Sequence, residues 1–270
     1  MRKGKWKMED IHFFRKMTAA QKKEYLQRCA RGIYAEELEK NGFANYNREN
    51  LSWYRVVNNE VLQTVYIYIQ YNDVVPLLME IGYGFHPLFI PAPIPNRVIR
   101  HAFWSDEVMM TAYWEAPRCV YDEKTPVLCY KTPGRGREIL EKIFSEFRKI
   151  KTETDAYKLH KNMQIRRAEM TDGVKWEGKT PIYGSEWIID EAIYFDDKDI
   201  YDVLVKQLNN QHCHLQKNCT TNREMAFLKR WEFQIDAMQN GKREEFLCML
   251  ENRRKKLIRD LDKKLGLKVK

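Results

Sequence analysis

Between Leu51 and Tyr71, two runs of β-branched and aromatic residues flank Asn58-Asn59. That spacing constrains the fold more than any other feature of the chain. A parallel return needs a crossover of a dozen residues or more, so so short a connection allows only an antiparallel hairpin. Asn suits the turn because it tolerates positive φ better than most residues. On the second strand Val61, Val65, Ile67, Ile69 and Tyr71 alternate with Leu62, Tyr66 and Tyr68. Both faces are apolar, which places the strand inside a sheet or under a covering helix.

A helix is expected before the hairpin. Thr18-Ala19-Ala20-Gln21 has the form of a capping box. Leu26, Cys29, Ala30, Ile33 and Leu38 then recur at helical spacing, and Gly42 is placed to stop the helix. From about Glu24 to Pro95 the order is a helix ending in Asn41-Gly42-Phe43, a Trp53-Tyr54-Arg55-Val56-Val57 strand, a short turn and a Val61–Tyr71 strand. This order resembles bacterial domain-of-unknown-function families built from a helix and an antiparallel sheet. The resemblance implies that architecture and brings no assigned activity.

Further along, Pro87, Pro91, Pro93 and Pro95 exclude a long helix and a central strand. With Phe85, Phe89, Phe103, Trp104, Tyr113 and Trp114 nearby, residues 84–118 are expected to form an irregular, partly extended segment packed over the sheet. Residues 126–131 read as another strand. A helix is predicted from about Arg137 through Ile139, Leu140, Ile143, Phe144, Phe147 and Ile150. The polar stretch 162–185 is the expected internal boundary.

The remainder reads as helical. Asp196 or Asp197 is expected to cap a helix carrying Ile200, Val203, Leu204 and Leu208. Leu228, Trp231, Ile235 and Met238 recur at three-four-three spacing. Gln239-Asn240-Gly241 interrupts the pattern, and a last helix carries Phe246, Leu250, Leu257 and Leu261. Two amphipathic helices so closely joined should return as a helical hairpin. The fold class that follows is α+β: an antiparallel sheet flanked by helices, then a mainly helical C-terminal region. Residues 1–195 are expected to form the α+β domain, with 196–270 packed on it as part of one cooperative unit.

Charge bears on function. The net charge is +9. Residues 1–24 carry eight Lys/Arg against three Asp/Glu, and residues 241–270 carry eleven against five, which leaves the body near neutral. Basic ends on a neutral body favour an acidic partner. No secretory signal is read at the N-terminus. The most apolar window, Val74 to Pro95, is broken by Glu80, His86 and prolines, so no membrane partner is expected. The six Cys follow no disulfide framework, and a cytoplasmic location with reduced thiols is expected.

Candidate sites are few. Gly134-Arg135-Gly136-Arg137, between a predicted strand and a predicted helix, has the composition of an anion cradle for a small phosphorylated ligand. It lacks the Lys-Ser/Thr ending of a P-loop, and an ordinary exposed turn has the same composition. His212, Cys213, His214 and Cys219 are zinc-ligand types, but His212 and His214 would diverge on one helix and no closed set of four exists. Asp190-Glu191 and Asp196-Asp197-Lys198-Asp199 offer carboxylates of the kind that hold Mg²⁺. Capping duties explain the acids before Ile200 as well. Asp155 with Glu177-Gly178-Lys179 has the residues of a nuclease motif without its strand context. His12, His86, His101 and His160 are isolated, and no nucleophile elbow is present. Neither a metal nor a cofactor is expected, and catalytic residues are unassigned.

On the last helix Lys255, Lys256, Arg259 and Lys263 share one face. A surface-packed helix looks the same with nothing bound. Three functions compete. The first is a non-catalytic binding protein with an acidic partner. The second is a nucleic-acid-binding protein that uses the basic ends. The third is an enzyme or sensor for a phosphorylated ligand at Gly134–Arg137. Trp6, Phe13 and Phe14 are available for base stacking near the N-terminus, and the last twenty residues hold no aromatic.

Overall fold

The computed structural model describes residues 18, 20, 31, 34–45, 51–70, 78–90, 133–171, 185–200, 213, 216, 217 and 221–269. Strands β1 (Ala44–Asn45), β2 (Ser52–Val57), β3 (Val61–Gln70) and β4 (Leu78–Pro87) form one four-stranded antiparallel sheet in the order β1-β2-β3-β4. The α+β class read from the sequence is the observed one. Asn58 and Asn59 both adopt positive φ, 52° and 60°, and Glu60 N–H donates to the Val57 carbonyl at 3.0 Å. These are the features of the two-residue primed turn that suits the twist of a hairpin. β3 lies inside the sheet, and Val61, Leu62 and Val65 are fully buried.

β4 was not foreseen as a strand, and its last four residues fall in the segment expected to be irregular. Pro87 ends the strand, and β4 is at the sheet edge, where a residue without an N–H is tolerated. The expected strand 126–131 lies outside the described residues.

The chain forms two compact units. The first comprises Met1–Arg55, Gln63–Gly84 and Asp106–Lys149, and the second Val56–Leu62, Phe85–Ser105 and Ile150–Lys270. In the first, helix α1 (34–40) ends as predicted at Gly42, with φ 79°. Gly42 N–H bonds the Glu39 carbonyl and Phe43 N–H the Leu38 carbonyl, which is the Schellman arrangement. Arg55 finishes this helix end. Its Nη1 donates to the Asn41 carbonyl at 2.8 Å and its Nη2 to Gln63 Oε1 at 2.6 Å, with the guanidinium 4.5 Å from the Phe43 ring centre. Helix α2 (Pro133–Arg148) begins four residues earlier than predicted. It buries Leu140, Ile143, Phe144 and Phe147, and Phe43 stacks on Phe144 and Phe147.

Among the described residues the second unit holds helices α3 (Glu153–Thr171), α4 (Ser185–Phe195), α5 (Asn222–Gln239) and α6 (Arg243–Leu265). Helix α3 runs through 162–171, the first part of the stretch expected to be a polar connection, which corrects that expectation. A capping box starts it: Asp155 N–H donates to Thr152 Oγ1 at 3.1 Å, and Thr152 N–H to Asp155 Oδ2 at 2.9 Å. Asp197 caps the helical turn at 198–200 by accepting from Ile200 N–H. α5 and α6 meet at Gly241, with φ 75°, where the break was predicted. Phe233 packs on Phe246, and Arg230 and Arg253 reach one carboxylate. These pairs lie progressively farther from the turn on both helices, so the hairpin is antiparallel.

Candidate functional site

Helix α4 is the core of the second unit. Ile188, Ile189, Asp190, Glu191, Ala192 and Ile193 are buried in succession. Six consecutive buried residues go more than once around a helix, so α4 has packed neighbours on every side. Two adjacent carboxylates therefore enter the interior about 100° apart and face different neighbours.

Asp190 faces the α5–α6 hairpin. Gln234 Nε2 donates to Oδ1 at 2.6 Å, and Arg253 Nη1 donates to Oδ2 at 2.9 Å. Arg230 Nη2 also donates to Oδ2. Every partner is a donor and both oxygens accept, the pattern of an ionised carboxylate. Burial pushes the Asp190 carboxyl up, while Arg230, Arg253 and Gln234 pull it back down.

Glu191 faces α3. His160 Nδ1 lies 2.8 Å from Oε1 and 2.9 Å from Oε2, and both side chains are almost wholly enclosed. The His160 ring stacks flat on Phe85, with centres 4.9 Å apart. Burial raises the Glu191 carboxyl, and His160 opposes the rise. Nearby, His86 is also buried, and its Nδ1 lies 2.9 Å from the Pro87 carbonyl. A carbonyl only accepts, so this nitrogen carries the proton. Burial lowers the His86 pKa to about 4, and His160 contributes to the same effect.

Arginines of α6 hold α4 and α3 at further points. Arg243 Nε and Nη2 donate to the Ile193 and Tyr194 carbonyls, each at 3.1 Å, and so satisfy the last turn of α4. Arg254 Nη2 donates to Glu153 Oε1 at 2.6 Å and to the Tyr194 hydroxyl at 3.2 Å. The hairpin tip also reaches α3, where Glu153 N–H donates to Glu60 Oε2 at 3.0 Å.

The Asp190 and Glu191 carboxylates are enclosed, and each is in contact with polar side chains of the protein. Asp190 and Glu191, weighed in the sequence as clustered carboxylates of the kind that hold Mg²⁺, meet protein side chains on diverging sides. Among the described residues, no three His, Cys, Asp or Glu side chains are placed to hold a metal ion. Asp155 belongs to a helix cap, while Glu177-Gly178-Lys179 lies outside the described residues. Cys213 is an exposed thiol, and His212, His214 and Cys219 lie outside the described residues. Gly134, Arg135, Gly136 and Arg137 form the first turn of α2 rather than a loop ahead of it.

The accessible candidate is the outer face of α6. Lys255, Lys256, Arg259 and Lys263 are all exposed. Among the described residues none of the four is engaged in an ion pair. They cover an arc of about 100° on a helix of 3.6 residues per turn, centred roughly opposite the buried Phe246, Leu250, Leu257 and Leu261. Apart from Lys264, which pairs with Asp260 one turn back, the basic residues of α6 fall into two sets: Arg243, Arg253 and Arg254 turn inward to oxygen partners, and the four of the stripe face water. The inward set was missed in the sequence. Its signal was present, because Leu250, Arg253, Leu257 and Leu261 continue one apolar row at three-four-four spacing, where a charge requires a buried partner.

No helix among the described residues is long and apolar enough to cross a membrane. The sequence matches no protein-family model. Neither a curated protein nor a solved structure matches it.

Proposed function

We propose that this chain is a non-catalytic cytoplasmic binding protein that docks an acidic partner on the exposed stripe of α6. One observation carries the proposal: Lys255, Lys256, Arg259 and Lys263 stand exposed on a single face without ion-pair partners among the described residues, while the helix's inward arginines are all engaged. Four unneutralised cations on a rigid rod attract anionic surfaces and speed encounter. The exposed thiols Cys213 and Cys248 suit a reducing compartment. Sealed burial of Asp190, Glu191 and His160 supports a structural rather than a catalytic role for the interior charges.

An acidic protein is favoured over single-stranded nucleic acid. Stacking on aromatic rings carries much of such binding, and the one aromatic residue of α6, Phe246, is fully buried. Salt titration of the full chain on immobilised poly-L-glutamate, with a DNA duplex of equal charge in parallel, tests the proposal. Binding to poly-L-glutamate that weakens at least tenfold between low and physiological salt is expected. No binding to either polyanion at low salt overturns it.

A further inference from the structure

The outer face of α6 is divided along its length by charge sign. In the N-terminal half the exposed charged side chains are Glu244, Glu245 and Glu251. In the C-terminal half they are the four cations of the stripe, with Asp262 the one exposed acid among them. The exposed neutral positions are Cys248, within the acidic half, and Asn252, between the two halves. Favourable interaction with the helix dipole accounts for Glu244 and Glu245 in the first turn and Lys263 in the last. It does not account for Lys255, Lys256 or Arg259, which lie beyond the end turns where the dipole acts. Glu251 also lies beyond them; it pairs with Arg254 of its own helix at 3.6 Å and is 48% exposed.

Such a face is complementary to itself. Laid antiparallel on a second α6, its acidic half covers the basic half of the other helix, whereas a parallel arrangement sets like on like. A two-fold axis near Asn252 and Arg253 brings Glu251 of one copy opposite Lys255 of the second copy, and Glu245 opposite Arg259. Both contacts then occur twice, as an isologous interface requires. We propose that the acidic partner of the stripe is a second copy of this chain, forming an antiparallel, two-fold α6–α6 dimer. This rests on the reading of the stripe as a docking surface and names its occupant. The contact is polar and confined to one helix from each copy, so the dimer is of the modest, salt-sensitive class.

Sedimentation velocity of the full chain, at low and at high salt, tests the dimer with two charge-reversal variants. One is Glu244→Lys/Glu245→Lys/Glu251→Lys. The other is Lys255→Glu/Lys256→Glu/Arg259→Glu/Lys263→Glu. The wild type should be dimeric at low salt, with dissociation strengthened at least tenfold at high salt. Each variant alone should be monomeric, and an equimolar mixture of the two should restore a one-to-one heterodimer. Restoration also shows that both variants are folded. A wild type that is monomeric at every salt, or variants that each remain dimeric, overturns the dimer. If the monomeric wild type still binds poly-L-glutamate through the stripe, docking of an acidic partner stands and self-association falls. If it binds no polyanion either, both fall.

Discussion

Arg253 and Asp190 are joined by a hydrogen bond of 2.9 Å from Nη1 to Oδ2, across 63 residues of sequence. The carboxylate has no exposed surface and the guanidinium side chain is 26% exposed. The pair ties the helical hairpin to the central helix of the second unit.

Removing one member of a buried pair costs more than the pair itself contributes, because the remaining charge is left without its counterion. Asp190→Ala should therefore destabilise the protein by about 3 kcal/mol or more, since it removes the one carboxylate that Arg230, Gln234 and Arg253 all bond. Arg253→Met should cost less, because Arg230 and Gln234 still bond Asp190. Urea denaturation of the three proteins measures the order. Equal losses for the two variants would contradict it.

Acid sensitivity should trace in part to His86. Its folded pKa is about 4 and its ordinary value 6.5. Between those values the unfolded chain binds a proton that the folded chain does not. Stability from this residue is thus fully present above about 6.5 and is lost as the pH falls toward about 4. The slope is about 1.4 kcal/mol per pH unit, and the total loss is on the order of 3 kcal/mol. Asp190 and Glu191, raised by burial, act in the opposite direction. The difference in stability between wild type and His86→Gln, followed from pH 7 to pH 4.5, isolates the histidine. A difference that does not change with pH would refute the assignment.

Two positive-φ positions should respond with opposite signs. Asp196 follows α4 at φ 54°, with its N–H bonded to the Ile193 carbonyl and that of Asp197 to the Ala192 carbonyl. Glycine is the favoured residue at this C-cap position. Asp196→Gly should stabilise by about 0.5–1 kcal/mol, because its 3.7 Å ion pair with Arg243 is largely exposed and contributes little. Gly241→Ala, at φ 75° with open space around the added carbon, should destabilise by about 1 kcal/mol through backbone strain alone. Thermal melting of both variants gives the signs.

What the sequence discloses, and what it hides, follows from the range over which each interaction acts. Asn58-Asn59 announces its hairpin because the turn chemistry is local. The α5–α6 hairpin is legible because Phe246, Leu250, Leu257 and Leu261 repeat on one face and Gly241 breaks the run. Helix α4 is invisible to periodicity because Ile188 to Ile193 are buried all round, leaving no polar face to alternate with. The same burial reverses the meaning of Asp190 and Glu191. They read as carboxylates of the kind that hold Mg²⁺ until Arg230, Gln234 and Arg253, far along the chain, are seen to close on one of them and His160 on the other. The basic stripe was legible because helical spacing alone places Lys255, Lys256, Arg259 and Lys263 together. Its relation to Glu244, Glu245 and Glu251 emerges only once the exposed side of α6 is known.

The central claim is that α6 divides its work between an apolar row that holds the fold and a basic row that binds. Two variants separate them: Leu257→Ala/Leu261→Ala, and Lys255→Gln/Lys256→Gln/Arg259→Gln/Lys263→Gln. For each, the melting temperature and the affinity for poly-L-glutamate at low salt are measured on the same full-length protein. The leucine variant should lose several kcal/mol of stability, as buried Leu→Ala changes do. The glutamine variant should melt within a degree or two of wild type, as surface changes do, while its binding falls at least tenfold. Undiminished binding by the glutamine variant would contradict the account.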